Sequence, residues 1–182
     1  MKSEQAVLKK SSITAGDLSK LTSIDPQLVF VFGSVQHFTD KSFAQTMKAS
    51  FPKATVVVRT TAGEISGKGV SDNSTVVTAA HFDSAKMKSA SVKLTGAEHC
   101  EETGKQLGNQ LNAQDLKAVF VLGTGHNVNG TPLVDGLRKV VGDKVTITGG
   151  LAGDGGAFKE TWTLLNGEVS NQHVVAVGIY GA

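Results

Sequence analysis

Two acidic residues stand where a chain usually places its chemistry. Glu64 ends the stretch TVVVRTTAGE and Asp154 ends KVTITGGLAGD. In both, a run of β-favouring residues passes through small residues and glycine to a carboxylate. The later stretch predicts a buried strand that opens, at Gly149 and Gly150, into a loop presenting Asp154. A constant step of 90 residues carries Glu64 to Asp154 and Val29, Phe30, Val31 and Gly33 to Val119, Phe120, Val121 and Gly123. The chain thus reads as a duplicated α/β unit. Two copies of one loop, each ending in an acid, would face each other across a pseudo-two-fold axis.

Ligands of open α/β sheets bind at the carboxyl ends of the strands. The residues offered there are Ser34, Thr60, Thr61 and Glu64 in the first unit, and Thr124, His126, Asn129, Gly149, Gly150 and Asp154 in the second. Hydroxyls, an amide, open backbone N–H groups and two carboxylates suit a small polar ligand such as an amino acid, whose ammonium would pair with an acid. The plain alternative is that Glu64 and Asp154 cap neighbouring backbone amides. An enzyme would use the same two carboxylates for acid–base chemistry, which requires one of them to have a raised pKa. No GxSxG nucleophile elbow is present, and Cys100 lies in a helical pattern without an evident base.

Other chemistry is weaker. GTGHNVNG, residues 123–130, lacks the third glycine of GxGxxG and a GK[ST] ending, so it reads as a turn feeding a helix. Among the five histidines, His37, His81, His99, His126 and His173, no pair has metal-ligand spacing. His81 and His173 fall in predicted strands, His99 on a helix, and His37 and His126 in equivalent loops.

The elements that must position these residues alternate. A short strand at Ala6–Lys10 and a short helix started by Thr14 and Asp17 precede a buried strand at Leu28–Gly33. Phe43, Met47 and Phe51 predict an amphipathic helix capped by Thr39 or Asp40 and stopped by Pro52. After a strand at Thr55–Thr61 comes glycine-dotted GEISGKGVSDN, then antiparallel strands at Ser74–Phe82 and Ser89–Thr95. The second unit repeats the plan. A helix at Gly96–Leu111 has Gly104 and Gly108 placed for close approach to a sheet, and strand Ala118–Gly123 follows. Thr131-Pro132 starts the next helix, with threonine as cap. Strands at Glu160–Leu165 and Val174–Tyr180, with a turn at Asn166-Gly167, close the chain. The fold class is α/β, with a mixed parallel and antiparallel sheet and flanking helices. Residues 1–27 lead into a domain at 28–182 made of halves at about 6–88 and 89–182.

Bulk composition narrows the function. With 18 basic and 16 acidic residues scattered along 182, and few aromatics, no nucleic-acid surface is visible. One cysteine excludes a disulfide framework. The first residues lack the apolar core of a signal peptide and no run approaches a membrane span, so a cytoplasmic location is expected. The Asn-x-Ser/Thr matches at Asn73 and Asn129 are then irrelevant to glycosylation.

LVFVFGS, the helix ending in FP, TTAGEISGKG, NVNGTPLVDGL, VTITGGLAGD, WTLLNGEV and HVVAVGIYG occur in this order between Leu28 and Gly181. Together they resemble the N-terminal domain of the FIST proteins. The resemblance implies a sensory input module without catalysis of its own, working beside a histidine kinase, a cyclic-di-GMP enzyme or a chemoreceptor. It also implies an amino acid or similar metabolite as ligand, or haem in the manner of one nitric-oxide-sensing subgroup, held by one of the five histidines. A second, C-terminal FIST domain is expected of such proteins, and the chain stops where it would start. A protein-interaction module with no ligand is the remaining reading.

Overall fold

The computed structural model describes residues 1–9, 13–38 and 41–181. Lys10, Thr39 and Asp40 lie outside them, and with them the end expected of the first strand and the caps expected for the Phe43 helix.

The first half runs β1 (Lys2–Leu8), a 3-10 turn, α1 (Ser19–Thr22), β2 (Leu28–Gly33), α2 (Lys41–Ser50) and β3 (Thr55–Thr60). Then come β4 (Glu64–Ser66), β5 (Gly69–Ser71) and β6 (Thr75–His81). The second half runs β7 (Lys86–Lys93), α3 (Cys100–Leu111), β8 (Leu116–Gly123), α4 (Gly130–Val141) and β9 (Thr146–Leu151). It ends with β10 (Thr163–Leu165), β11 (Glu168–Ser170) and β12 (His173–Tyr180).

Among the described residues a six-stranded sheet has the order β1-β6-β2-β3-β10-β11 and a four-stranded sheet the order β7-β12-β8-β9, while β4 and β5 pair only with each other. The parallel pairs β2–β3 and β8–β9 sit beside antiparallel β6 and β12. The fold is the mixed α/β arrangement expected.

Side-chain alternation stacks the layers. Val29, Val31, Val56 and Val58 face α1 and α2, where Leu21, Phe43 and Met47 are buried. Val119, Val121, Val174 and Ala176 face Leu107, Leu133 and Leu137 of α3 and α4. The opposite faces meet: Leu28, Val57, Leu122, Val175 and Val177 form a third core, with the Phe30 and Phe120 rings 4.6 Å apart. The order of layers is therefore helix, sheet, sheet, helix.

Four expectations are corrected. The strands at Ser74–Phe82 and Ser89–Thr95 are not partners. β6 pairs with β1 and β2, and β7 with β12 in the other sheet, because Asp83 to Ala85 carry the chain across instead of turning it back. The Gly104 and Gly108 face meets a helix, since a Cβ at Gly104 would strike the Leu133 carbonyl and one at Gly108 would lie 2.7 Å from Val140 Cβ. The N-cap of α4 is Asn129, two residues before Thr131, so Pro132 lies inside the first turn, where a missing N–H costs nothing. Finally, β9 is not buried: it ends its sheet, with Thr146, Thr148, Gly149 and Leu151 exposed, and Gly149 and Gly150 belong to the strand.

Candidate functional site

The loops leaving β3 and β9 come together. Thr60 carbonyl accepts from Gly153 N–H at 2.9 Å, and a Cβ at Gly153 would lie 3.0 Å from Ala62 N, so the two Ala-Gly segments touch. Thr60, fully buried, also receives the Trp162 N–H on its Oγ1 at 3.0 Å, while Gly125 N–H donates to Thr161 Oγ1 at 2.8 Å. Strand ends from both sheets are locked into one framework.

Each acid serves its own loop. Glu64 is 1% exposed; its Oε1 accepts the Thr61 hydroxyl at 2.7 Å, and its Oε2 accepts Ser74 N–H at 3.1 Å and the Ser74 hydroxyl at 2.8 Å. Asp154 Oδ1 accepts Phe158 N–H at 3.1 Å, and Oδ2 accepts Lys159 N–H at 2.7 Å and Glu160 N–H at 3.3 Å. The Lys159 amide leads the causes that hold the Asp154 carboxyl below its usual range, against desolvation and with help from Phe158, Glu160 and the charge on His126. A general acid needs the opposite shift. His126 Nε2 stands 3.9 Å from Asp154 Oδ2 without a hydrogen bond.

The depressed Asp154 pKa fixes the direction of an acid effect. The contribution of this carboxylate is present above the ordinary aspartate pKa of about 3.9 and is lost as pH falls through the lower folded value. The loop from Asp154 to Glu160 should therefore stay closed from neutrality to about pH 4 and open below it. Trp162, the single tryptophan, reports on it. Fluorescence that changes between pH 7 and 5, or an acid response unaltered by Asp154→Asn, would contradict this assignment.

The remaining candidates, Asn129 apart, are divided among three hollows. Thr61 and Glu64 line one of about 320 Å³ with Ser34, Asp72, Asn73 and Gly155. Gly149 and Gly150 line an apolar groove of about 380 Å³ beside β9. Thr124 and His126 line a polar cleft of about 250 Å³ with Lys93, Thr95, Asn127, Asn171 and Gln172. Asn129 is exposed at the N-cap of α4, and its N–H donates to Cys100 Sγ at 3.1 Å.

Sequence reasoning missed Lys93, Thr95, Asn171 and Gln172. They flank the ends of β7 and β12, where Leu94 N–H donates to Gln172 carbonyl at 2.8 Å, and only knowledge that β7 pairs with β12 would have joined them. It also missed Arg59, whose Nε is buried without a hydrogen-bond partner among the described residues and whose pKa burial lowers to about 10; a Cβ built on Gly150 would sit 3.2 Å from its Nη1.

Haem finds no fit. Held by a histidine, as the resemblance implies, it needs that residue set in apolar walls, yet among the described residues the apolar groove has no histidine and the cleft at His126 is polar. His37 is 2% exposed in the core, His81 bonds the Asp25 carbonyl at 2.8 Å, His99 is exposed beside Glu98, and His173 meets Ser91 Oγ at 3.2 Å. Among the described residues no group of histidine, cysteine and acid side chains has the geometry of a metal site, and no helix is long and apolar enough to cross a membrane.

No curated protein matches the sequence. Among solved structures, the chain is similar to the cyanuric acid hydrolase of A. caulinodans, with 10% identity, a TM-score of 0.42, and 97% of this chain and 67% of that chain covered. That likeness is too distant to argue from. The FIST N domain family is matched over residues 27–182, nearly the whole chain. The chain therefore belongs to the FIST N domain family, a family of sensory domains of signal-transduction proteins.

Proposed function

We propose that this domain senses a small carboxylate-bearing metabolite of about amino-acid size, held in the polar cleft at His126. The observation that supports this reading is the cleft's wall. Lys93, Thr95, Thr124, Asn127, Asn171 and Gln172 supply one ammonium, two hydroxyls and three amides, and among the described residues no carboxylate lines it. Lys93 suits a ligand carboxylate, and the amide and hydroxyl oxygens suit a ligand ammonium. The role expected of Glu64 and Asp154 as ammonium partners passes to these neutral oxygens, because the acids' own loops already use their lone pairs.

Ligand binding would join three segments of the second half, the β7–α3 connection, the loop after β8 and the loop before β12. That is a natural input to a histidine kinase, a cyclic-di-GMP enzyme or a chemoreceptor, since the bound state differs from the free one in loop order.

Thermal-shift screening of amino acids and short carboxylic acids should find a compound that raises Tm by roughly 5–10 °C at a hundredfold excess over Kd. Lys93→Ala with Asn127→Ala should weaken that compound at least about tenfold. Full affinity in the double variant would overturn the site, and a screen in which no compound raises Tm would favour an interaction module without ligand.

A further inference from the structure

Two hairpins in this chain share one build. In β10–β11, Thr163, Leu164 and Leu165 lie opposite Ser170, Val169 and Glu168; in β4–β5, Glu64, Ile65 and Ser66 lie opposite Ser71, Val70 and Gly69. Two residues form the turn in each, Asn166-Gly167 and Gly67-Lys68. Leu164 and Ile65 are thus the central apolar residues of equivalent strands.

Their surroundings differ. Leu164 is 1% exposed, because β10 lies antiparallel on the outer edge of β3 and places it in the core under α2. Ile65 is 77% exposed and its cross-strand partner Val70 is 75% exposed. Tied to the rest of the chain through Gln5 and Ser74 but with no other strand partner among the described residues, a hairpin that shows both its large apolar residues to water is marginal by itself.

The complementary gap is on the other sheet. β9 holds beside β8 the place that β3 holds beside β2, yet its outer edge has no strand partner among the described residues. Its sequence, TITGGL, carries neither the charge nor the proline that usually protects an edge. Alongside lies the apolar groove walled by Val121, Leu133, Val134, Ile147 and Leu151. It lies on the α4 side of β9, as the Leu164 position lies on the α2 side of β3.

The register is specified as well. Val31 pairs with Val58, and Leu164 lies on the far side of Val58; in the second sheet Val121 pairs with Gly149. Transferring the arrangement sets Ile65 opposite Gly149, Glu64 opposite Gly150 and Ser66 opposite Thr148. Gly149, with φ of 143°, cannot carry a side chain, since a Cβ there would strike the Val121 carbonyl. Ile147 and Leu151 therefore flank a bare position where an incoming isoleucine fits.

The geometry points to a second copy of this chain as the occupant: the β4–β5 hairpin of one copy adds antiparallel to β9 of the other, with Ile65 in the groove. Each copy carries both the unpaired hairpin and the unpaired edge, so reciprocal exchange about one two-fold axis satisfies both. The contact is separate from the polar cleft and does not depend on any ligand there.

Sedimentation velocity of the full chain at tens of micromolar should show a dimer. Ile65→Lys and Leu151→Lys should each weaken association at least about tenfold, with far-ultraviolet circular dichroism unchanged. Each contact uses Ile65 of one copy and Leu151 of the other, so an equimolar mixture of the two variants keeps one unaltered contact and should associate more tightly than either alone. A monomer at these concentrations, a dimer indifferent to both substitutions, or a mixture no tighter than its components would each overturn the exchange.

Discussion

Gly136→Ala should destabilise the domain by about 2 kcal/mol or more, although the same change in an exposed helix interior gains about 1 kcal/mol. The reason is the crossing of α3 and α4. A Cβ at Gly136 would overlap the Glu101 carbonyl oxygen, just as one at Gly104 would overlap that of Leu133. Backbone oxygens within two helices cannot step aside as a side-chain tip can, so the helices must separate and loosen the core around Leu107, Leu133 and Leu137. For a domain of this size the loss should lower Tm by roughly 4–8 °C, and Gly136→Val should cost more. The control is Gly130→Ala at the start of the same helix, where the space is open; it should be neutral or slightly stabilising. Urea unfolding decides the matter, and a Gly136→Ala variant as stable as the parent would refute close helix contact.

Glu64→Ala should cost about 2–4 kcal/mol, because it leaves Ser74 N–H and the hydroxyls of Thr61 and Ser74 without their acceptor in a buried place. Ser71 Oγ, 2.9 Å from Ser74 Oγ, recovers part of the loss. Glu64→Gln should cost roughly half as much, since the amide keeps one acceptor oxygen. Neither change should alter ligand affinity in the cleft at His126 for the folded fraction. Affinity lost at unchanged stability would return Glu64 to the role of ligand partner and displace the reading given above.

Much of the architecture was legible because it rests on local pattern. The apolar run at Leu28–Gly33, the four-residue spacing of Phe43, Met47 and Phe51, and the Asn166-Gly167 turn each state their element directly. The succession strand, helix, strand, helix, strand in each half also follows from them. Sheet membership was not legible. Nothing in Ser74–Phe82 or Ser89–Thr95 says that the chain changes sheets between them, and β9 looks buried only because its threonines and isoleucine suit an inner strand as well as an edge. For the candidate site, the sequence grouped the loops after β3 and β9, and Thr60, Thr61 and Gly153 of these loops do meet. It could not reveal that Glu64 and Asp154 spend their oxygens on amides and hydroxyls three to ten residues away, since a capping acid and a ligand-binding acid leave the same letters. The constant step of 90 residues also conceals a slip. Leu28 pairs with Thr55 but Ala118 with Thr146, one residue further along, so the step of 90 residues is not kept in the pairing register: Phe32 pairs with Arg59, whereas Leu122 pairs with Gly150 and not with Gly149.

The first sheet draws its strands from the whole length of the chain. Lys2 to Leu8 forms one border, and the other is supplied by Thr163 to Ser170, more than 150 residues later. During synthesis, β3 therefore waits with a bare edge until Thr163 to Ser170 have left the ribosome. Such long-range closure makes for slow folding and for an extended period of vulnerability to aggregation. A chain interrupted shortly before residue 163 would leave β3 with an open border and would lack β12, the strand that joins β7 to β8 in the second sheet.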